Sequence, residues 1–279
     1  MVDSLWKSSQ RTLAALALAT SYAVPALPLT SCDFTTPNPA APVSDDIEAV
    51  DCIEGDSFTT ESGVRLVWAI EPDKFPYAMT VTPLCWQTDV DRAVAAILNG
   101  LDKYPDSVQS SNLGVVYLVQ HLEIQGRQAG GIADPPTQRV YIANSYSTCW
   151  IERAFHHEFS HILTSWHPWN ISPWLAENPE DFTYGDDAIA AIREDRASSE
   201  LDRRLAEDGF LTEYSMTSAG EDFNTYAQYH FLPEHLLWEI VDTYPRVRRK
   251  SALMVEFYGA LDPQYYTNAF FRGLDWCGE

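Results

Sequence analysis

Apolar residues recur at helical spacing over residues 89–101, where Val90, Ala93, Ala96, Ile97 and Leu101 share one face. That pattern predicts an amphipathic helix with its stripe against a core. Residues 65–70 (RLVWAI), 115–119 (VVYLV) and 139–143 (RVYIA) are short, β-branched and aromatic, and predict strands. Between the last two, Gly126, Gly130, Gly131, Pro135 and Pro136 predict a turn-rich connection. A longer helix is expected over 147–164, in an apolar frame that includes Phe155, Phe159, Ile162 and Leu163. Beyond it the pattern turns helical and acidic. Ile189, Ile192, Leu201 and Leu205 are the apolar positions of 187–207, and Pro233 can open a helix through Leu236, Leu237 and Ile240. Another helix should follow Pro245, with Arg246, Arg248, Arg249 and Lys250 as a solvated basic face. The order of strands and helices predicts an α+β fold: a small mixed sheet, a long helix, then a helical C-terminal half.

The first 51 residues read differently. Lys7 and Arg11 precede an apolar run over 13–23 that is too short to span a bilayer comfortably, and Leu29-Thr30-Ser31-Cys32 follows. Leu-Thr-Ser-Cys resembles a bacterial lipobox, which would make 1–31 a signal segment and Cys32 the lipidated first residue. A secretory signal cut near Ala23 or Ala26 is the other reading. Residues 32–51, with Pro37, Pro39, Pro42 and the run Ser44-Asp45-Asp46, read as a tether. Residues 52–279 then form one domain. Four cysteines remain outside the lipobox, Cys52, Cys85, Cys149 and Cys277. An exported protein can pair them in two disulfides, in three possible connectivities, with free buried thiols as the alternative.

Composition narrows the partners. A net charge of -22, with four lysines against fourteen arginines, disfavours nucleic acid and anionic lipid surfaces. The same excess of acid suits a high-salt setting. No phosphate loop, serine triad or nucleic-acid module is present.

The chemistry lies in His157-Glu158-Phe159-Ser160-His161. On a helix, histidines four apart share a face and can bind one zinc ion, with the intervening glutamate placed as general base toward a water. A catalytic zinc needs a third protein ligand and an open fourth position. His167 has the spacing of H-E-x-x-H-x-x-G-x-x-H, but Thr164 stands where glycine should turn the chain. Glu177 follows Trp174-Leu175-Ala176, but Asn178-Pro179 would cut its helix short. Glu221 sits in Ser218-Ala219-Gly220-Glu221, where a capping box accounts for it equally well. Trp166, Trp169 and Trp174 either wall a cleft or pack in the core.

The stretch 209–223, GFLTEYSMTSAGEDF, resembles G-F-x-x-x-Y-(A/S)-x-(S/T)-x-x-x-E-(D/F)-F in one gluzincin group. This is the family of zinc-binding metallopeptidases found as bacterial lipoproteins, and the metallopeptidase domain of anthrax lethal factor is similar. With the histidine motif, the resemblance spans about residues 150–230. It implies a zincin-like fold, Zn2+ held by His157, His161 and Glu221, Glu158 as catalytic base, and the Tyr214 hydroxyl pointing into the site. Thr225 stands where the family commonly has a second acid, four residues past the ligand. The expected activity is peptide-bond hydrolysis on a protein or peptide substrate. The setting is a monomer in a bacterial cell envelope, touching the membrane through lipid on Cys32. The alternatives are a non-catalytic surface lipoprotein that binds protein or glycan, and a maturation factor for one neighbouring protein.

Overall fold

A computed structural model describes residues 57–68, 79–144, 147–185 and 198–275. The expected signal segment and tether, Cys32, Cys52, Cys277, the end of the strand expected over 65–70, and 187–197 lie outside the described residues.

Among the described residues, seven strands form one mixed sheet. They are β1 (Ser57–Thr59), β2 (Arg65–Val67), β3 (Met79–Pro83), β4 (Val115–Ile124), β5 (Arg127–Gln128), β6 (Gly131–Asp134) and β7 (Arg139–Ala143). The spatial order is β1-β2-β4-β7-β6, with β3 and β5 also pairing β4. β4 lies between β2 and β7 and is parallel to both, whereas β6 closes the edge antiparallel to β7. Alternation sorts the side chains. Val116, Leu118, Val140 and Ile142 join the main core, and Val119, Leu122, Tyr141 and Ala143 form a smaller cluster. There Tyr117 and Tyr141, directly opposite in register, stack with ring centroids 4.7 Å apart.

Helix α1 (Gln87–Leu101) buries the five apolar positions expected of it. It packs with α3 (Thr148–Trp166), and the short α2 (Asp106–Asn112) lies between α1 and β4 in sequence. The approach of α1 to α3 requires Gly100. A Cβ there would stand 2.7 Å from the Phe155 ring. Fully buried Phe155, Phe159, Ile162 and Leu163 hold α3 in the core, each worth about 1.5–3 kcal/mol of transfer free energy. After α3 come α4 (Ile171–Leu175), α5 (Arg203–Ala206), α6 (Ala219–Phe231), α7 (His235–Thr243), α8 (Pro245–Leu261) and α9 (Asn268–Arg272). Sheet plus helices make an α+β fold, as the apolar pattern predicts. Among the described residues, no helix is long and apolar enough to cross a membrane.

Four local expectations change. The turn-rich stretch after β4 contains β5 and the edge strand β6, because pairing with β7 supplies order that four residues of pattern cannot announce. Within 198–207, helix covers only Arg203–Ala206. Pro233 precedes α7 by two residues, with Glu234 as its N-cap, instead of opening it. The basic run at the start of α8 is not a uniform solvated face: Lys250 is fully buried, and Arg246 donates to the Glu177 carbonyl at 2.6 Å. Cys85 and Cys149 are both disulfide-bonded, which removes the free-thiol reading for these two.

Candidate metal centre

Helix α3 places His157 and His161 one turn apart on one face, with ring centroids 5.0 Å apart. Helix α6 packs on α3 and brings its first turn to those rings. Ser218 caps α6 by accepting from the Glu221 backbone N–H at 3.1 Å. The reciprocal half of a capping box would turn the glutamate back on the cap. Here Glu221 Oε2 instead lies 2.8 Å from His157 Nε2 and 3.3 Å from His161 Nε2. Capping and ligation are therefore not rivals: the backbone does one and the carboxylate is free for the other.

The three ligand atoms lie within 4.8 Å of one another. Donors around a tetrahedral zinc, at bonds of ~2.0–2.1 Å, stand roughly 3.4 Å apart, so the spacing fits such an ion. The tautomer fits too. His157 Nδ1 lies 2.7 Å from Gln228 Oε1, an acceptor, so Nδ1 donates there and Nε2 is the nitrogen presented to the cluster. Gln228 is seven residues past Glu221, two turns along the same face of α6. It provides the orienting contact for which position 225 is the expected place; Thr225 itself is buried. Two imidazole nitrogens and one carboxylate oxygen leave a fourth position for a substrate or water.

Glu158 faces the sheet edge. Its carboxylate accepts from the Ala133 backbone N–H in β6. Gly131 permits this approach, since a Cβ there would lie 2.7 Å from Glu158 Cγ. Burial pushes the Glu158 carboxyl up to about 7, opposed by His157 and reinforced by the Glu221 charge. Burial also acts to raise Glu221, but both imidazoles outweigh it and hold this carboxyl well below its ordinary range. Tyr214 lies in a 3-10 turn (Tyr214–Met216), with its ring centroid 5.8 Å from that of His157. Burial, then the Glu221 and Glu158 charges, push its hydroxyl well above the usual range, so it stays a donor.

The other candidates lie elsewhere. His167 caps the end of α3, and its Nε2 is 2.7 Å from Asn112 Oδ1; α3 runs through Thr164 without the turn that would swing His167 inward. Glu177 accepts from Arg249 Nε at 2.6 Å. Of the three tryptophans, Trp174 is core, Trp169 packs on Phe223, and Trp166 is exposed and donates to the Pro135 carbonyl. Trp150 lines the cleft instead, in a cavity of about 250 Å³ shared with His157, Glu158 and Tyr214. His156, beside the motif, is a neutral core histidine. Burial pushes it down to about 4, and its Nδ1 is 3.0 Å from the Tyr104 hydroxyl.

Beneath Glu221 lies a feature that sequence reasoning missed. Asp222 Oδ2 accepts from Trp174 Nε1 at 2.9 Å, the Tyr184 hydroxyl at 2.7 Å and Lys250 Nζ at 2.7 Å. Asp222 and Lys250 are both fully buried. This network ties the first turn of α6 to α4 and α8, and so anchors the residue next to Glu221. The residues around Asp222 give no sign of it, because its partners are 28 to 48 residues away.

Comparisons with family models and with curated proteins found no match. Among solved structures, one described as a "putative zinc-binding metallo-peptidase" from Bacteroides caccae is similar, with a TM-score of 0.45 and 16% identity. The match covers 74% of this chain and 85% of that one. A likeness this distant carries no function across; the case for a metal rests on the donor geometry above.

Proposed function

We propose that this protein is a zinc-dependent peptidase of the gluzincin type. The observation that carries the reading is the convergence of His157, His161 and Glu221 from two helices, with Glu158 beside them. When bound, zinc would acidify a water and polarise the substrate carbonyl. Glu158, whose affinity for protons burial has raised, takes the proton of the attacking water and passes it to the leaving amine nitrogen. Tyr214 donates to the carbonyl oxygen as negative charge develops there. Gln228 keeps His157 in the ligating tautomer.

The substrate is a protein or peptide, and the enzyme acts as an exported, monomeric lipoprotein of a bacterial envelope, anchored through Cys32. The lipobox-like Leu29-Thr30-Ser31-Cys32, the Pro-rich 32–51 and the disulfide-bonded Cys85 and Cys149 support that address. Glu158→Gln tests the mechanism. The variant should bind zinc as the wild type does and lose peptide cleavage by a factor of at least about 100. Undiminished cleavage would refute the role of Glu158. A zinc-loaded wild type that cuts nothing would favour the non-catalytic binding protein.

A further inference from the structure

Helix α6 carries its metal ligand in a pair of adjacent acids, Glu221 and Asp222. Their carboxylates have the same chemistry, and turning the helix by about 100°, the angle of one residue, would exchange their directions. Apolar burial does not choose between these rotations. Every residue from Asp222 to Phe231 is buried, so over that length α6 has no polar stripe to turn toward water. The Ser218 cap fixes where the helix begins, through the Glu221 backbone N–H, but not which way its sides face.

What distinguishes one side of α6 from another is its polar partners. Asp222 Oδ2 takes three donors: Trp174 in α4, Tyr184 in the loop that follows, and Lys250 in α8. Oδ1 is buried too and has no partner among the described residues, so the three bonds converge on one atom as a tripod. Eight residues on, His230 Nε2 accepts from the hydroxyl of Ser251, the neighbour of Lys250 on α8, at 2.7 Å. Lys250 is the charged member of the tripod, and it shares full burial with Asp222. A buried ion pair adds little net stability over an apolar pair of the same volume. Its best-attested use is to fix a register, because a rotated helix would strand both charges in the core.

We infer that Lys250 is a positioning residue for the metal: by pinning Asp222 it sets the rotation of α6 that points Glu221, and not its neighbour, at His157 and His161. The inference rests on the reading of these three residues as metal ligands and deepens it. Lys250 acts through Asp222, from a helix that contributes none of the three ligands.

The full-length variant Asp222→Asn/Lys250→Met separates positioning from stability. It strands no charge, and asparagine keeps an oxygen for Trp174 and Tyr184, so the chain should fold. It lacks the charged pin. Its zinc Kd in a chelator competition should rise about tenfold or more. Loaded with Co2+ in place of zinc, its visible absorption spectrum should differ from that of the wild type, because those bands follow ligand geometry. An ion pair that only stabilises the fold predicts wild-type affinity and a wild-type spectrum once the chain is folded. Either result in the folded double variant overturns the inference. Should the double variant fail to fold, Tyr184→Phe, which loosens the same tripod and keeps the ion pair, decides alone. It should weaken zinc roughly 2–30-fold, and an unchanged Kd overturns the inference. Glu221→Ala tells this failure from that of the metal reading. If Glu221→Ala leaves the zinc Kd unchanged, Glu221 is no ligand and both fall. If it abolishes binding while the double variant binds as the wild type does, only the positioning role of Lys250 falls.

Discussion

Replacing Lys250 with methionine should be among the most damaging single changes outside the metal ligands. The ammonium pairs with Asp222 at 2.7 Å in full burial, and it lies 4.2 Å from the centroid of the Phe210 ring. Methionine keeps most of the apolar stem and its ring contacts. What it removes is the counter-charge. Burial raises the Asp222 carboxyl and lowers the Lys250 ammonium, so desolvation outweighs pairing for each ion. Removing one partner of such a pair costs about 3–5 kcal/mol, because the remaining charge is stranded. Trp174 and Tyr184 still donate to Asp222, which puts the expected loss near the lower figure, about 3 kcal/mol. For a domain of this size that is a drop of roughly 6–12 °C in Tm. The double variant Asp222→Asn/Lys250→Met strands no charge and should recover to within about 1 kcal/mol of the wild type. Urea unfolding midpoints in the presence of a chelator measure this without zinc linkage. The reasoning fails if Lys250→Met costs less than about 1 kcal/mol, or if the double variant is as unstable as the single.

Gln228→Leu should weaken zinc binding roughly 10–100-fold in a chelator competition, by releasing the His157 tautomer; an unchanged Kd would refute the orienting role. His230 predicts a pH dependence of stability. Burial pushes it down to about 4, while its Nδ1–H donates to the Tyr226 carbonyl and its Nε2 accepts from Ser251. The unfolded chain takes up a proton below about 6.5 and the folded chain only near 4, so stability is full above pH 6.5 and falls as pH drops. The loss reaches roughly 3 kcal/mol at pH 4. His230→Gln should flatten that slope in urea titrations run across the same window, and an identical slope would count against it.

How legible the molecule is depends on the range of the interaction. α1 and α3 are readable because helical period and apolar burial act within a few residues, and Val90, Ala93, Ala96, Ile97 and Leu101 are all buried. β6 is not readable, since its order comes from pairing with β7 and its glycine serves Glu158 on another element. Lys250 looks like a surface cation by composition. It is buried because Asp222 lies opposite it, 28 residues away in the chain.

The site divides the same way. Local spacing determines that His157 and His161 share a helix face and that Glu158 turns off it, because 3.6 residues per turn leaves no alternative. The neutral state of His156, the placing of Gln228 behind His157 and the pairing of Arg153 with Glu234 are decided only when α6 packs on α3 and the chain just after it reaches that helix. Among the candidate third ligands, sequence left His167, Glu177 and Glu221 each with a local reason. Tertiary packing resolves them, because a ligand set is a matter of distance in space, and only Glu221 of the three comes within reach of both imidazoles.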